Sequence, residues 1–169
     1  PPFADANIGI VGVGLIGGSL GLAFKNLGIG KRIVGISRKE TVDEAVGVGA
    51  IDTGFAYDDL GHSLSDCDLV FLCTPISRIL ELLPGTIEAV PDGAIVTDVG
   101  STKLEITKRA GEIPRESVTF VGGHPMAGSE HRGVSAADPF LFQNAIYVIT
   151  PVEDTPDLAT EKLLELVTA

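Results

Sequence analysis

Three closely spaced glycines near the start of the chain constrain its fold more than any other feature. The apolar run from Ile8 to Val13 contains Gly12, and Gly14 and Gly17 follow it. The resulting G-x-G-x-x-G pattern, after a strand and before a helix, is typical of a βαβ unit that binds a dinucleotide. The first glycine permits a tight turn, the second lets a diphosphate approach the backbone, and the third lets the helix pack on the strand. The alternative is a glycine-rich turn in another kind of α/β protein. The residues expected to contact the cofactor here are Gly12, Gly14, Leu15, Ile16 and Gly17.

The size and charge of the chain limit the classes of protein to consider. Its 169 residues, 44% hydrophobic and 21% charged, fit one globular domain spanning 1–169. A net charge of −11 leaves no basic stripe for nucleic acid, so we expect no nucleic-acid partner. No segment reaches the roughly 18 apolar residues of a membrane span, so we expect no membrane partner. Two cysteines give no disulfide framework, which favours a cytoplasmic protein.

Strands and helices alternate along the whole sequence. This alternation predicts an α/β fold, a Rossmann-type doubly wound and mostly parallel sheet with helices on both faces. Pro84 is expected to break a helix over 76–83 or to start a second one over 85–90, and 51–58 is expected to be irregular or a short edge strand. Ser101 or Thr102 is a candidate N-cap for a helix that ends at Gly111. The predicted strands are 8–13, 32–36, 69–73, 94–98, 118–121 and 145–149, and the other predicted helices are 16–27, 41–48 and one opening at 156 or 157.

Ligands of such a sheet bind beyond the carboxyl ends of its strands. The second strand ends at Ser37 and Arg38, where an NAD-binding unit usually has an acidic residue for the ribose hydroxyls. A hydroxyl and a guanidinium suit the 2′-phosphate of NADP, so we expect NADP as cofactor, with NAD possible. The alternative is a solvated arginine on a surface turn. The predicted strand 69–73 leads to three further candidate cofactor contacts, Cys73, Thr74 and Pro75, and the thiol of Cys73 is expected to be packed.

His124 is the candidate catalytic base. It follows the predicted strand 118–121, between Gly123 and Pro125, and a neutral imidazole can accept a proton from an alcohol that loses hydride. Ser101 follows the neighbouring strand and can hydrogen-bond a histidine or a substrate hydroxyl; it can also be a helix cap. The spacing of His131, Glu130 and Asp98 matches no common zinc pattern, so no metal is expected.

Several motifs together resemble one enzyme family. They are Gly12-Val13-Gly14-Leu15-Ile16-Gly17-Gly18-Ser19, Thr74-Pro75, Asp98-Val99-Gly100-Ser101-Thr102-Lys103 and Gly123-His124-Pro125-Met126-Ala127-Gly128-Ser129-Glu130. The chain resembles the prephenate/arogenate dehydrogenases of tyrosine biosynthesis over nearly its whole length. The glycine motif is shared with many dehydrogenases, and the last two motifs are far more specific.

The resemblance implies oxidative decarboxylation of a cyclohexadienyl substrate, prephenate or arogenate, by NAD(P)⁺. His124 would accept or hydrogen-bond the hydroxyl proton, and Ser101 would orient both His124 and that hydroxyl. Ser129 and Glu130 would line the substrate pocket. Family members carry a helical C-terminal domain that dimerises and supplies an arginine for the substrate carboxylate. The resemblance therefore implies that this chain is the nucleotide-binding domain alone and that the full-length form is a homodimer. Two alternatives stay open, a small-acid or imine dehydrogenase or reductase of the same superfamily and a non-catalytic nucleotide sensor.

Overall fold

A seven-stranded sheet runs through the centre of the molecule. The computed structural model describes residues 2–169. The strand order is β3-β2-β1-β4-β5-β6-β7, and every neighbouring pair is parallel except the antiparallel pair β6 and β7. The chain order therefore reverses between β1 and β4, where a doubly wound sheet opens a crevice for ligands. The strands are β1 (Asn7–Val11), β2 (Arg32–Ile36), β3 (Thr53–Phe55), β4 (Leu69–Leu72), β5 (Ile95–Asp98), β6 (Thr119–Pro125) and β7 (Tyr147–Thr150).

Helices cover both faces of the sheet. The helices are α1 (Leu15–Leu27), α2 (Lys39–Gly47), α3 (Leu60–Ser63), α4 (Ile76–Ala89), α5 (Leu104–Gly111) and α6 (Asp157–Thr168), with short 3₁₀ turns at Tyr57–Asp59 and Val134–Ala136. One apolar layer joins the sheet to α1, α2 and α6, and a second joins its other face to α3, α4 and α5. The predicted Rossmann-type architecture is confirmed. Within residues 2–169, no helix combines the length and the hydrophobicity needed to cross a bilayer.

The central strands are apolar without alternation because both of their faces are covered. All four residues of β4 are buried, and Phe71 packs against Phe24 of α1 with ring centroids 5.5 Å apart. Val70 and Leu72 belong to the layer on the opposite face. A strand buried on both sides has no solvent face to mark with polar residues, which explains its continuous apolar run.

Three sequence predictions about helices and strands are wrong. Pro84 does not end a helix, since α4 continues through it to Ala89. Neither Ser101 nor Thr102 caps α5: the N-cap is Lys103, and no side-chain cap bond forms there. The strand predicted over 118–121 is β6, which continues to Pro125. Pairing with β7 prolongs β6 beyond the point where its parallel pairing with β5 ends.

Candidate functional site

The glycine turn between β1 and α1 has the geometry that a dinucleotide requires. Gly12 has a φ of +89°, and its N–H donates to the carbonyl of Ile36 at 2.8 Å. A Cβ on Gly17 would lie 2.2 Å from the carbonyl oxygen of Gly12, so only glycine permits this approach of helix to strand. A Cβ on Gly14 would meet no atom within 4 Å, so open space lies over the middle of the turn. The residues present therefore fit a diphosphate against the backbone.

The first turn of α1 supplies donors for that diphosphate. Gly14 is the N-cap and has no side chain to satisfy the helix, and no acidic residue lies in the first turn. The first N–H groups of a helix have no intrahelical acceptor and carry its positive dipole end. An anion placed over Leu15 and Ile16 would accept hydrogen bonds from these free N–H groups and would be attracted by the positive end of the helix dipole.

Ser37 and Arg38 follow the carboxyl end of β2, on the same edge of the sheet as the glycine turn. Ser37 is buried and its N–H donates to the carbonyl of Phe55 at 3.1 Å, whereas Arg38 is exposed at the N-cap of α2. Four of the six arginines of the chain pair with carboxylates. Within residues 2–169, Arg38 and Arg132 have no such partner.

A cleft of about 630 Å³ lies beyond the carboxyl ends of β1, β4, β5 and β6. It brings together eight of the residues singled out in the sequence: Leu15, Ile16, Cys73, Thr74, Pro75, Ser101, His124 and Ser129. Glu130 is exposed and does not line it. Gly12, Gly14, Gly17, Ser37 and Arg38 lie outside its lining, along the course expected for the rest of a dinucleotide.

His124 stands on a strand rather than in a loop. It lies opposite Val148 in the antiparallel pair of β6 and β7, and its side chain is half-buried in the wall of the cleft. Ser101 is exposed in the loop after β5 and lines the same cleft. Among the described residues no hydrogen bond joins Ser101 to His124. Both side chains are therefore available to a third group in the cleft.

A buried ion pair ties the loop of Ser101 to the strand of His124. The carboxylate of Asp98 is fully buried and accepts from the N–H of Gly100 at 2.8 Å and from the N–H of Gly123 at 3.2 Å. Lys103 pairs with the same carboxylate and also donates to the carbonyl of Gly123 at 2.6 Å. Burial lowers the pKa of Lys103, while its hydrogen bond and charge interaction with Asp98 oppose that shift. The motif D-x-G-S-x-K thus works as a clamp between β5 and β6.

The thiol of Cys73 is unsuited to nucleophilic chemistry. Burial raises the pKa of Cys73, and the nearby charge of Asp98 raises it further. A thiol that stays protonated is a poor nucleophile. The expectation of a packed side chain is therefore supported, and its contact with a cofactor remains a prediction.

Two residues of the cleft were not predicted to belong to it: Arg132 was not singled out in the sequence, and His131 was considered only as a metal ligand. Ser129 and His131 form a local pair, with Ser129 Oγ 3.2 Å from His131 Nδ1 and 3.1 Å from the His131 backbone nitrogen. Among residues 2–169, no carboxylate side chain lines the cleft, although the chain has 23 acidic residues. The cleft is therefore locally basic in an acidic molecule. Within the part of the chain that the structure describes, no cluster of three or more potential metal ligands occurs.

Comparison with known proteins gives a consistent result. Residues 20–169 match the family model described as prephenate dehydrogenase, nucleotide-binding domain. The prephenate dehydrogenase of Bacillus subtilis is 39% identical over 159 residues, covering 93% of this chain and 42% of that protein. The prephenate dehydrogenase of Lactococcus lactis is 42% identical over 144 residues, covering 83% of this chain and 40% of that protein.

Solved structures agree with the sequence matches. A prephenate dehydrogenase from Aquifex aeolicus in complex with hydroxyphenyl propionate and NAD⁺ superposes with a TM-score of 0.86 at 30% identity, covering 96% of this chain and 56% of that one. A Synechocystis arogenate dehydrogenase superposes with a TM-score of 0.83 at 39% identity, covering 95% and 55%. The chain thus spans about half the length of the relatives it matches. The extent of the match to the family model and these similarities show that the chain belongs to the prephenate dehydrogenase family, of which it carries the nucleotide-binding domain.

Proposed function

We propose that the chain is the dinucleotide-binding half of an enzyme that oxidatively decarboxylates prephenate or arogenate with NAD(P)⁺. The observation that carries this proposal is the cleft at the strand-order reversal, which places His124 and Ser101 beside the glycine turn. The named activities of the B. subtilis and Synechocystis relatives support the choice of substrates. The test is turnover of both substrates with both cofactors, followed by absorbance of the reduced nicotinamide and by release of CO₂. Absence of turnover with all four combinations by the protein joined to a substrate domain contradicts the proposal.

The residues of the chain divide the chemistry between them. The first turn of α1 and the loop after β4 would hold NAD(P)⁺, which supplies a hydride acceptor when bound. His124 would accept the proton of the ring hydroxyl as its carbon loses hydride. The ring carboxylate then leaves as CO₂, its bonding electrons complete the aromatic ring, and the resulting phenolate oxygen takes the proton back from His124. Ser101 would donate to or accept from the same hydroxyl and so fix its orientation. Prephenate yields hydroxyphenylpyruvate, and arogenate yields tyrosine.

The assignment of His124 as base can be tested by replacing it with asparagine, which keeps the size and polarity of the side chain. General-base catalysis contributes about 10²- to 10⁴-fold, so His124→Asn should lower kcat by about that factor. Affinity for the cofactor should stay nearly unchanged, because the glycine turn and Arg38 are untouched. Steady-state kinetics and calorimetry measure the two effects separately. A variant that keeps most of its turnover would leave His124 as a structural residue.

We further propose that NADP⁺ is preferred to NAD⁺. The support is the unpaired guanidinium of Arg38 at the end of β2 together with the absence of an acidic residue at Ser37. A charge-assisted phosphate contact contributes about 1.5–3 kcal/mol, or roughly ten- to a hundredfold in Kd. Calorimetry with both cofactors should show that difference, and Arg38→Gln should remove it. Equal Kd values in the unsubstituted protein would overturn the preference.

We also propose that the substrate pocket is completed by a second, helical and dimerising domain. The chain covers only 40% to 42% of the two curated relatives, which supports this division. The 169 residues alone should therefore bind cofactor but turn over either substrate very poorly. Family-like rates from these residues by themselves would refute the proposal.

A further inference from the structure

The loop that follows β6 is fixed to the first turn of α1. A Cβ on Gly18 would lie 2.9 Å from Cγ2 of Val134 and 3.0 Å from Cβ of Ala137, so this part of the loop packs directly on the helix. The backbone N–H of Asp138 donates to Oγ of Ser19 at 3.0 Å, and both Val134 and Ser19 are buried. The loop therefore joins the catalytic end of β6 to the helix that begins at the glycine turn.

Arg132 lies next to this attachment. It precedes Gly133, whose φ of +82° turns the chain, and it lines the cleft together with Leu15 and Ile16. The buried Val134, which packs on the helix, follows Arg132 by two residues. Two residues of chain span at most about 7 Å, so the Cα of Arg132 is held close to the N-terminus of α1.

The guanidinium of Arg132 has no carboxylate partner within residues 2–169. Of the other five arginines, only Arg38 shares this property, and the remaining four form ion pairs. Among the described residues, no aspartate or glutamate lines the cleft, and the neighbouring Glu130 lies outside it. A planar guanidinium without an internal partner offers parallel N–H donors to an anion that arrives with a ligand.

The glycine turn offers the diphosphate of a dinucleotide neutral donors but no cation. No lysine or arginine lies in the first turn of α1, residues 15–18. Among the described residues that line the cleft, Arg132 is the one lysine or arginine. The loop holds it on the α1 side of the cleft, whereas His124 stands on β6. The diphosphate is therefore the anion that this guanidinium is placed to meet.

We propose that Arg132 binds the diphosphate of the dinucleotide cofactor, together with the free N–H groups at the start of α1. The contact rests on the cofactor of the proposed function and is independent of the choice of substrate. Because NAD⁺ and NADP⁺ share the diphosphate, Arg132 strengthens the binding of both. Arg38, in contrast, is proposed to contact the 2′-phosphate that only NADP⁺ carries.

Calorimetric titration of three ligands tests the contact without turnover. ADP-ribose keeps the adenosine and the diphosphate but lacks the nicotinamide, and NAD⁺ lacks only the 2′-phosphate of NADP⁺. Arg132→Gln should bind ADP-ribose, NAD⁺ and NADP⁺ each about tenfold more weakly than the unsubstituted protein. The loss should shrink as salt is added, because an exposed ionic contact is screened, and Arg132→Lys should recover part of it. Because Arg132 is exposed, the melting temperature of the ligand-free protein should stay unchanged.

Two matched variants give the controls. Arg109→Gln removes an exposed guanidinium that is paired and outside the cleft, and should change the affinity for none of the three ligands. Arg38→Gln should weaken NADP⁺ and leave NAD⁺ and ADP-ribose unchanged, whereas Arg132→Gln should weaken all three.

The outcomes separate this inference from the proposed function. Equal affinity of Arg132→Gln and the unsubstituted protein for ADP-ribose overturns the contact with the diphosphate. A loss confined to NADP⁺ overturns it in favour of the 2′-phosphate, and a loss for NAD⁺ without one for ADP-ribose overturns it in favour of the nicotinamide. Failure of the unsubstituted protein to bind any of the three ligands overturns it as well. If all three losses are seen but neither prephenate nor arogenate is turned over, the contact stands and the proposed reaction fails.

Discussion

Replacing Lys103 with methionine should destabilise the protein far more than loss of an ordinary surface ion pair. Methionine keeps the length and the apolar stem of the side chain but removes the ammonium group. The side chain of Asp98 is fully buried and that of Lys103 is 15% exposed, so solvent can compensate little for the loss. The carboxylate would keep only the two backbone donors of Gly100 and Gly123. Breaking one partner of a buried ion pair costs about 3–5 kcal/mol, because the other charge is left uncompensated.

The Lys25–Asp52 pair offers a matched control for this prediction. Its side chains are 34% and 41% exposed, so Lys25→Met should cost at most about 1 kcal/mol. Thermal unfolding followed by circular dichroism should show a melting temperature lower by roughly 6–20 °C for Lys103→Met. Adding Asp98→Asn to Lys103→Met should recover part of that loss, since no buried charge remains and the amide oxygen still accepts from the backbone. A loss for Lys103→Met no larger than that for Lys25→Met would refute the clamp.

Two further predictions concern a glycine and a thiol. Gly17→Ala should lower the free energy of unfolding by about 1–3 kcal/mol, because the added Cβ forces the backbone away from Gly12. Gly14→Ala should leave the free energy of unfolding in urea unchanged, since its Cβ meets open space. An equal loss in the two variants would contradict this reasoning. Burial raises the pKa of Cys67 from 9.0 to about 12. Between pH 9 and 12 the thiol therefore ionises in the unfolded chain but stays protonated in the folded protein, so the free energy of unfolding falls as the pH rises through this range. Cys67→Ala should therefore show a flatter fall of melting temperature across that alkaline range, and identical pH profiles would exclude a contribution from this thiol.

The sequence predicted the central sheet with helices on both faces, because strands that are buried on both sides consist of apolar residues. The continuous apolar run of β4 and the glycine pattern at Gly12, Gly14 and Gly17 depend on local geometry that the chain encodes within a few residues. The alternation of strands and helices along the chain predicted a mostly parallel sheet with helices on both faces, but it did not predict the order of the strands.

The parts that depend on distant partners were not predictable. The predicted strand ended at Val121, whereas Gly122 and Gly123 continue β6 because β7, more than 20 residues later, pairs with them. A Cβ on Gly123 would lie 2.7 Å from the carbonyl oxygen of Asp98, so the glycine marks a close approach of two strands. The sequence therefore placed His124 correctly at the carboxyl end of this strand, but in the loop after it rather than within β6.

Local propensity also failed where the tertiary packing dominates. Pro84 suggested a helix end, but Leu83 and Ile87 on either side of it are buried against the sheet and hold α4 together. Arg132 gave no signal at all, since an arginine in a polar loop looks the same whether it faces solvent or a cleft. Only the folded structure shows that it lines the same cleft as Ser101 and His124.

The acid-free lining of the cleft has a consequence for how fast ligands arrive. The chain carries a net charge of −11, and both the dinucleotide and the proposed carboxylate substrates are anions, so the mean field of the molecule opposes their approach. At physiological ionic strength the Debye length is about 8 Å, and the repulsion from distant acidic side chains is largely screened. The guanidiniums of Arg38 and Arg132 then act over the last few ångströms. Association is therefore slowest in dilute buffer and gains from added salt, the opposite of a protein that steers anions from afar.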